Sequence, residues 1–534
     1  MKTDIQRKRG QFYTPTLFVD YAHDMISKEF GEDWKEKYVV WDNSAGSKNL
    51  TRDYYFNELY SSTLEQAELD ISKHYNKEAV SFQFDFLNDS LDKLPKGLIE
   101  AFEQNKPIIF FMNPPYAGTG SGKAKSKAVG TIQTAINVTM KNDGIGASSQ
   151  NLYGQFLYRI HLIIQKYKLT DAAVAFFSPT NYLTGSSWKG FRRVWLDNYH
   201  LVNGCMFKAS HFADVADNWG IAFSVWKEGK TEDKNNFPHT IVDNINGNIE
   251  VIASKNIYNL DGMPTAREWI KTSQKTDKVT FPNVSSGLVV REKSVFAENG
   301  FLGYFYNKSN CIYKNSQDVA LFSAPFFDAH GVNMHQSNFT RCTSLFVARK
   351  LVENTWSTAE DEYLAPDTTN EKWQEFENDS IVYSLFSAFS QQSSLRNIDY
   401  KGKKWDIKNE FFWMSKEDML GLSEEFSNDD CYNDARVSKE RYVYELLEGI
   451  ELSEEAQAVL DKAREIVRKT FKYRKLFNEE HENYQINNWD ASYYQMKPLW
   501  KEYAKEDFEQ FKELYKKLSE KMLPMVYELG FLKR

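Results

Sequence analysis

A chain of 534 residues is too long for one hydrophobic core, so two or three domains are expected. Its 42% hydrophobic and 26% charged residues exclude a disordered or fibrous chain, and no apolar run approaches the roughly 18 residues of a membrane span. The net charge of −8 argues mildly against a nucleic-acid partner, because phosphate neutralisation ordinarily shows as excess Lys and Arg.

In chain order, residues 38–42 (Tyr-Val-Val-Trp-Asp) read as a buried strand ending in an acid. A turn, Asn43-Ser44-Ala45-Gly46-Ser47, and a helix from about Asn49 should follow. Leu59 to Leu64 reads as a second strand ending at Glu65, residues 80–86 as a third and residues 107–112 as a fourth. A Gly/Ser/Lys-rich stretch then runs to about Gln150 and reads as a loop. Leu152 to Tyr167 fits an amphipathic helix, residues 172–178 a fifth strand, Trp188–Asn198 a helix and Gly220 to Trp226 another strand. Strands alternating with helices predict an α/β fold, a doubly wound and mostly parallel sheet. The alternation stops near Lys230, and Thr231 to Asn236 is polar and linker-like. Residues 236–440 look irregular, and the remainder helical: one helix opens at Ser453-Glu454-Glu455 with bases toward Lys475, as the dipole prefers, and another spans Lys501 to Leu523. The expected division is therefore 1–235, 236–440 and 441–534.

Directly behind the fourth strand stands Asn113-Pro114-Pro115-Tyr116. In an open α/β sheet, ligands bind at the carboxyl ends of the strands. An exocyclic amine that attacks a methyl donor needs two hydrogen-bond acceptors and a stacking face. The Asn113 side-chain oxygen and the Pro114 carbonyl supply the acceptors, and Tyr116 the face. Two successive prolines, Pro114 and Pro115, fix φ and restrict the residue before each, so the acceptors are held in place before substrate arrives.

Other strand ends carry ligand-type groups. Asp42 to Gly46, with Ser44 between them, form a strand–turn junction at which backbone can approach a nucleoside. Glu65 lies 23 positions after Asp42, where a ribose diol would be held. Asp85 can accept from an adenine amino group, with Phe86 against the ring. Upstream, Gly10-Gln11-Phe12-Tyr13-Thr14-Pro15 makes a tight turn able to hold a carboxylate.

These blocks, in this order, resemble the γ arrangement of the amino-group DNA methyltransferases that form N6-methyladenine. The matching residues are Gly10 to Pro15, Asp42 to Leu50, Glu65, Asp85-Phe86 and Asn113 to Tyr116, with Ala173 to Ser187 a looser match; coverage is roughly residues 5–228. The resemblance implies direct in-line methyl transfer from S-adenosylmethionine, its methionine end near Phe12, Tyr13, Thr14 and Pro15, its ribose on Glu65 and its adenine near Asp85 and Phe86. It also implies double-stranded DNA as partner, with the target adenine flipped from the duplex. A second aromatic, Phe212 or Trp219, would face that base, and a restriction or specificity subunit would be a further partner. The chain departs from the family at Lys48, where glycine is usual, and at Asn43, where proline is usual.

Lys123, Lys125 and Lys127 follow the motif with no acid among them and read as a basic loop for DNA. The segment Gly118 to Ala124 lacks Gly at 117 and Ser or Thr at 124, so it is no phosphate loop. The four cysteines, Cys205, Cys311, Cys342 and Cys431, form neither a metal spacing nor a disulfide framework, and the nine histidines form no His-Glu-x-x-His pair. No metal is expected, and a reducing cytoplasm fits. Two other readings compete: a non-catalytic DNA-binding relative, motivated by Lys48, and a protein glutamine-amide methyltransferase, which the chain resembles less.

Overall fold

The strand Ile108–Met112 has no polar side. Ile108, Phe110 and Met112 enter one core and Ile109 and Phe111 another, because successive strand side chains point to opposite faces. Such a strand must be covered on both faces. The computed structural model, which describes residues 14–116, 133–212, 219–271, 278–284, 290–298, 300–326, 330–392, 394–426, 430–482 and 485–533, shows how that is done.

The strands are β1 (Val39–Asp42), β2 (Glu58–Thr63), β3 (Val80–Gln83), β4 (Ile108–Met112), β5 (Ala172–Ser178), β6 (Tyr199–Lys208), β7 (Gly220–Glu228), β8 (Asn236–Ile245) and β9 (Asn248–Tyr258). They form one nine-stranded sheet in the order β3-β2-β1-β4-β5-β7-β6-β8-β9. Strands β1 to β5 pair in parallel, β7 runs antiparallel to β5 and β6, and β8 and β9 form an antiparallel pair. The order reverses between β1 and β4, which makes that gap the switch point of a doubly wound sheet. Helix Thr16–Phe30 covers one face through Phe18, Val19, Ala22, Met25 and Ile26. Helices Lys96–Glu103, Ala135–Asn142, Leu152–Tyr167 and Lys189–Asn198 cover the other. The expected α/β fold is the one observed.

Several local expectations are corrected. No helix starts near Asn49: the chain turns through residues 43–54, with Gly46 at φ 49° and Lys48 at φ 61°, a left-handed geometry that cannot propagate an α-helix. The third strand stops at Gln83, so Asp85 and Phe86 lie in the turn beyond it. Part of the Gly/Ser/Lys-rich stretch is helix Ala135–Asn142, capped by the Thr134 side chain accepting from the Asn137 amide. Helix Glu454–Thr470 starts on Ser453 as expected, but the final helical run breaks at Ala504 into Tyr493–Tyr503 and Lys505–Glu528.

The domain boundaries also move. The polar residues 231–236 lead into β8, whose Phe237 and Val242 are buried in the sheet's cores, so the sheet unit runs past residue 235. The chain divides into two compact units, Met1–Gly262 with Thr355–Asp361, and Met263–Asn354 with Glu362–Arg534. Within the second unit, residues on both sides of 440 share a core, Phe339, Phe346, Phe376 and Trp413 among those before it and Val459, Val467, Trp500 and Phe511 after it. That unit also holds a buried ion network in which Arg441 and Arg396 converge on Asp490 at 3.0 and 3.2 Å.

A β-carbon added at Gly190 would lie 2.5 Å from the Ile145 carbonyl oxygen, a backbone atom that cannot swing away. Gly190→Ala is expected to destabilise the protein by about 1–3 kcal/mol through forced displacement of helix Lys189–Asn198. Denaturant unfolding checks this, and an unchanged midpoint would contradict it.

Candidate active site

At the end of β4 the chain leaves the sheet at Asn113, with Pro114 buried and Asn113, Pro115 and Tyr116 half-buried. The Asn113 carboxamide is held at both ends. Its Nδ2 donates to Thr14 Oγ1 at 2.9 Å, and its Oδ1 accepts from the Tyr116 hydroxyl at 2.7 Å. Burial holds the Tyr116 phenol well above its ordinary pKa, so it remains a donor. The Trp219 ring stands perpendicular to Tyr116, centroids 6.3 Å apart at 87°.

Thr14 reaches Asn113 across 99 residues of sequence because of helix Thr16–Phe30. Phe18 shares a core with Phe111, and His23 meets the Phe111 ring edge-on at 5.3 Å. The helix start, where the Phe18 amide donates to the Pro15 carbonyl at 3.0 Å, thus falls beside the end of β4.

The turn after β1 is polar and incompletely hydrogen-bonded. Asp42 is 0% exposed; its Oδ1 accepts from the Ser44 amide at 3.3 Å. Asp42 Oδ2, both polar atoms of the Asn43 carboxamide and Ser44 Oγ are buried without a partner. Each such atom costs about 1–3 kcal/mol, so a cluster of them at the switch point fits a site completed by a hydrogen-bonding ligand. Burial pushes the Asp42 carboxyl up to about 8, against the opposing pull of the Ser44 amide and the Lys48 ammonium. A β-carbon on Gly46 would have the Glu68 Oε1 as its nearest neighbour at 3.9 Å, so the turn can be approached closely.

Lys48, the departure from the resembled family, is 2% exposed, and its ammonium donates to the Tyr75 carbonyl at 3.1 Å. Its left-handed φ of 61° is a conformation that glycine tolerates best. Burial lowers its pKa, and Asp42 opposes the shift.

The remaining predicted residues fall into distinct groups. Glu65 sits at the C-terminal end of β2, half-buried, as the residue before helix Gln66–Ser72. Asp85 is engaged in its own turn, accepting from the Leu87 amide at 3.1 Å and Asn88 Nδ2 at 2.8 Å. Phe86 is 3% exposed and stacks on Phe156 at 4.9 Å, in the core rather than at a ligand face. Phe212 is 0% exposed, packed between Phe177 and Phe207, so of the two candidate aromatics the structure brings Trp219 to the motif. Phe12, Tyr13, Lys123, Lys125 and Lys127 lie outside the described residues.

Two features escaped the sequence reading. Glu68, which accepts from the Thr63 hydroxyl and faces Gly46, sits one helical turn beyond Glu65; a second acid in that first turn was the available signal. The segment Thr355–Asp361 belongs to the sheet unit despite its distance in sequence. The Trp356 carbonyl would be 3.1 Å from a β-carbon on Gly220, the neighbour of Trp219, and Lys255 pairs with Asp361 at 2.6 Å. No local pattern announces such a return.

No protein-family model matches the chain, and no curated protein matches it in sequence. Solved structures similar to it include the DrdV–DNA complex (TM-score 0.37, 15% identity, 58% of this chain and 36% of that one). The ATP-dependent type ISP restriction-modification enzyme LlaBIII bound to DNA is another (TM-score 0.33, 12% identity, 57% and 24%). A third is the type I restriction-modification methyltransferase subunit of Streptococcus thermophilus (TM-score 0.30, 14% identity, 45% and 50%). The chain thus spans half or less of the length of these three. The α/β Rossmann-like fold rests on the strand order itself. Among the described residues no helix is long and apolar enough to cross a membrane.

Asp42 gives a pH dependence with a definite sign. Its folded-state pKa of about 8 exceeds the ordinary 3.8, so folding takes up a proton. The stabilisation is complete below the unfolded pKa and is lost as pH rises through the folded one. Melting temperatures from about pH 5 to about pH 8.5 should fall more steeply for the wild-type protein than for Asp42→Asn. Parallel curves would rule out the buried, neutral carboxyl.

Proposed function

We propose that this chain is a site-specific DNA methyltransferase that transfers a methyl group from S-adenosylmethionine to adenine N6. The observation that carries the reading is the Asn113 carboxamide, fixed at the end of β4 between Thr14 and Tyr116, one strand from the unpaired polar atoms of the β1 turn.

Asp42, Asn43 and Ser44 would hold the donor through those atoms, with Gly46 allowing close approach and Glu65 and Glu68 as carboxylates for a diol. Thr14 and the turn before it would meet the donor's amino-acid end. When bound there, S-adenosylmethionine supplies an electrophilic methyl group on a sulfonium. The chain's own residues act on the amine. Asn113 Oδ1 accepts one N–H and the Pro114 carbonyl the other. The nitrogen lone pair then leaves conjugation with the ring and becomes available for attack, after which the methylated nitrogen passes its surplus proton to water. Because the corner is rigid before substrate binds, the acceptors need no reorganisation as charge develops. Tyr116 stacks on the flipped base, and Trp219 limits how that ring sits. Base flipping itself costs a few kcal/mol, offset by these contacts. The second unit would read the DNA sequence, and a restriction or specificity subunit is the further partner this reading calls for.

Asn113→Ala should lower kcat by about 100- to 1,000-fold while leaving donor affinity unchanged. Tritium transfer from labelled donor to DNA measures the first and calorimetry the second. Transfer at the wild-type rate would remove Asn113 from the chemistry, and label in protein rather than DNA would reassign the substrate.

Lys48→Gly relieves a left-handed strain of about 1–2 kcal/mol and loses a hydrogen bond worth about 0.5–1.5 kcal/mol. Thermal stability should therefore change little, and donor affinity should stay within about threefold, since the ammonium is tied to Tyr75. A gain in affinity above about tenfold, or 1.4 kcal/mol, would mean the lysine obstructs the donor.

A further inference from the structure

The Asn113 carboxamide can act as an acceptor toward an amine only if its oxygen, not its nitrogen, is presented. A carboxamide rotated by half a turn would present two N–H donors to a group that is itself a donor. Something must therefore fix its orientation, and the described structure holds a group suited to it.

Thr14 is 3% exposed, and its hydroxyl accepts from Asn113 Nδ2 at 2.9 Å. With the nitrogen so held, Oδ1 turns to the opposite side, where the Tyr116 hydroxyl meets it. Hydrogen bonds in series polarise one another, so donation from Nδ2 also makes Oδ1 a stronger acceptor. Thr14 is anchored in turn. Its carbonyl accepts from Asn49 Nδ2 at 3.3 Å, and Asn49 Oδ1 accepts from the Ser47 hydroxyl at 2.9 Å. A continuous run of hydrogen bonds thus joins the turn after β1 to the turn after β4, Ser47 to Asn49 to Thr14 to Asn113 to Tyr116.

We propose that Thr14 is the positioning residue for Asn113, setting the carboxamide so that its oxygen faces the amine, and that it links the donor turn to the catalytic corner. This rests on the methyltransferase reading above and adds to it. Thr14 then serves the transfer step itself, beyond any contact with the donor.

The test compares Thr14→Val, which keeps shape and removes the hydroxyl, with Thr14→Ser, which keeps the hydroxyl. At saturating donor and DNA, Thr14→Val should lose about 10- to 100-fold in kcat, with KM for DNA within about threefold of wild type. Thr14→Ser should recover kcat to within about threefold. In protein labelled with nitrogen-15 at asparagine, the Asn113 side-chain amide protons should exchange with water at least about tenfold faster in Thr14→Val than in Thr14→Ser. An unchanged kcat in Thr14→Val, or equal amide exchange in the two variants, overturns the proposal. So does loss of donor affinity with kcat preserved at saturation, which would make Thr14 a donor ligand only. The exchange measurement needs no turnover: a wild-type protein that methylates no DNA, yet shows the exchange difference, would sink the methyltransferase reading and leave Thr14 as the anchor of Asn113.

Discussion

Two-sided burial of β4 is the constraint on which the site depends. A strand with apolar side chains on both faces cannot shift register by one residue without exchanging its two cores. Phe110 packs with Trp41 on one side and Phe111 with His23 on the other, so the strand is fixed along its length and its end is fixed in space. Asn113 inherits that precision. The prolines that follow remove the freedom that a loop residue would otherwise have, and the helix that follows Thr14 is set by the same core that sets Phe111. The corner at Asn113 is fixed because it is the end of a rigid element, not because its own bonds are strong.

The turn after β1 obeys the opposite logic. Asp42 Oδ2, the Asn43 carboxamide and Ser44 Oγ are buried without partners, and Asp42 is held neutral by burial at a position where an ionised carboxylate would be costly. A fold tolerates such a cluster when a ligand completes it. The two turns follow adjacent parallel strands at the point where strand order reverses. Lys48 accepts a left-handed backbone, and its ammonium finds the Tyr75 carbonyl.

What the sequence revealed, and what it hid, follows from the range of the forces involved. Strands β1, β2, β4, β5 and β7 and the helix from Leu152 were legible because their apolar periodicity is local. So was the motif, whose prolines act only on their neighbours. β6 was missed: Tyr199–Lys208 mixes His200, Asn203 and Gly204 into its run, and its place is set by pairing with β7 and β8. The boundary near residue 235 was misread because a polar stretch resembles a linker whether or not the sheet resumes after it. Phe86 and Phe212 show the limit for aromatic rings, since composition cannot tell a ring that faces a ligand from one that faces the core. The contact of Thr14 with Asn113 and the return of Thr355–Asp361 are long-range consequences of packing, and no local signal carries them.

The central claim is that this corner presents an acceptor pair to an adenine amine beside a bound methyl donor. Nucleoside mass spectrometry measures it most directly. Duplex DNA is incubated with the purified full chain and S-adenosylmethionine, digested and analysed for modified nucleosides. The account predicts N6-methyladenine that appears only with donor present and carries the donor's isotopic label. DNA left unmodified by a protein that binds the donor, or label found on cytosine, would contradict it.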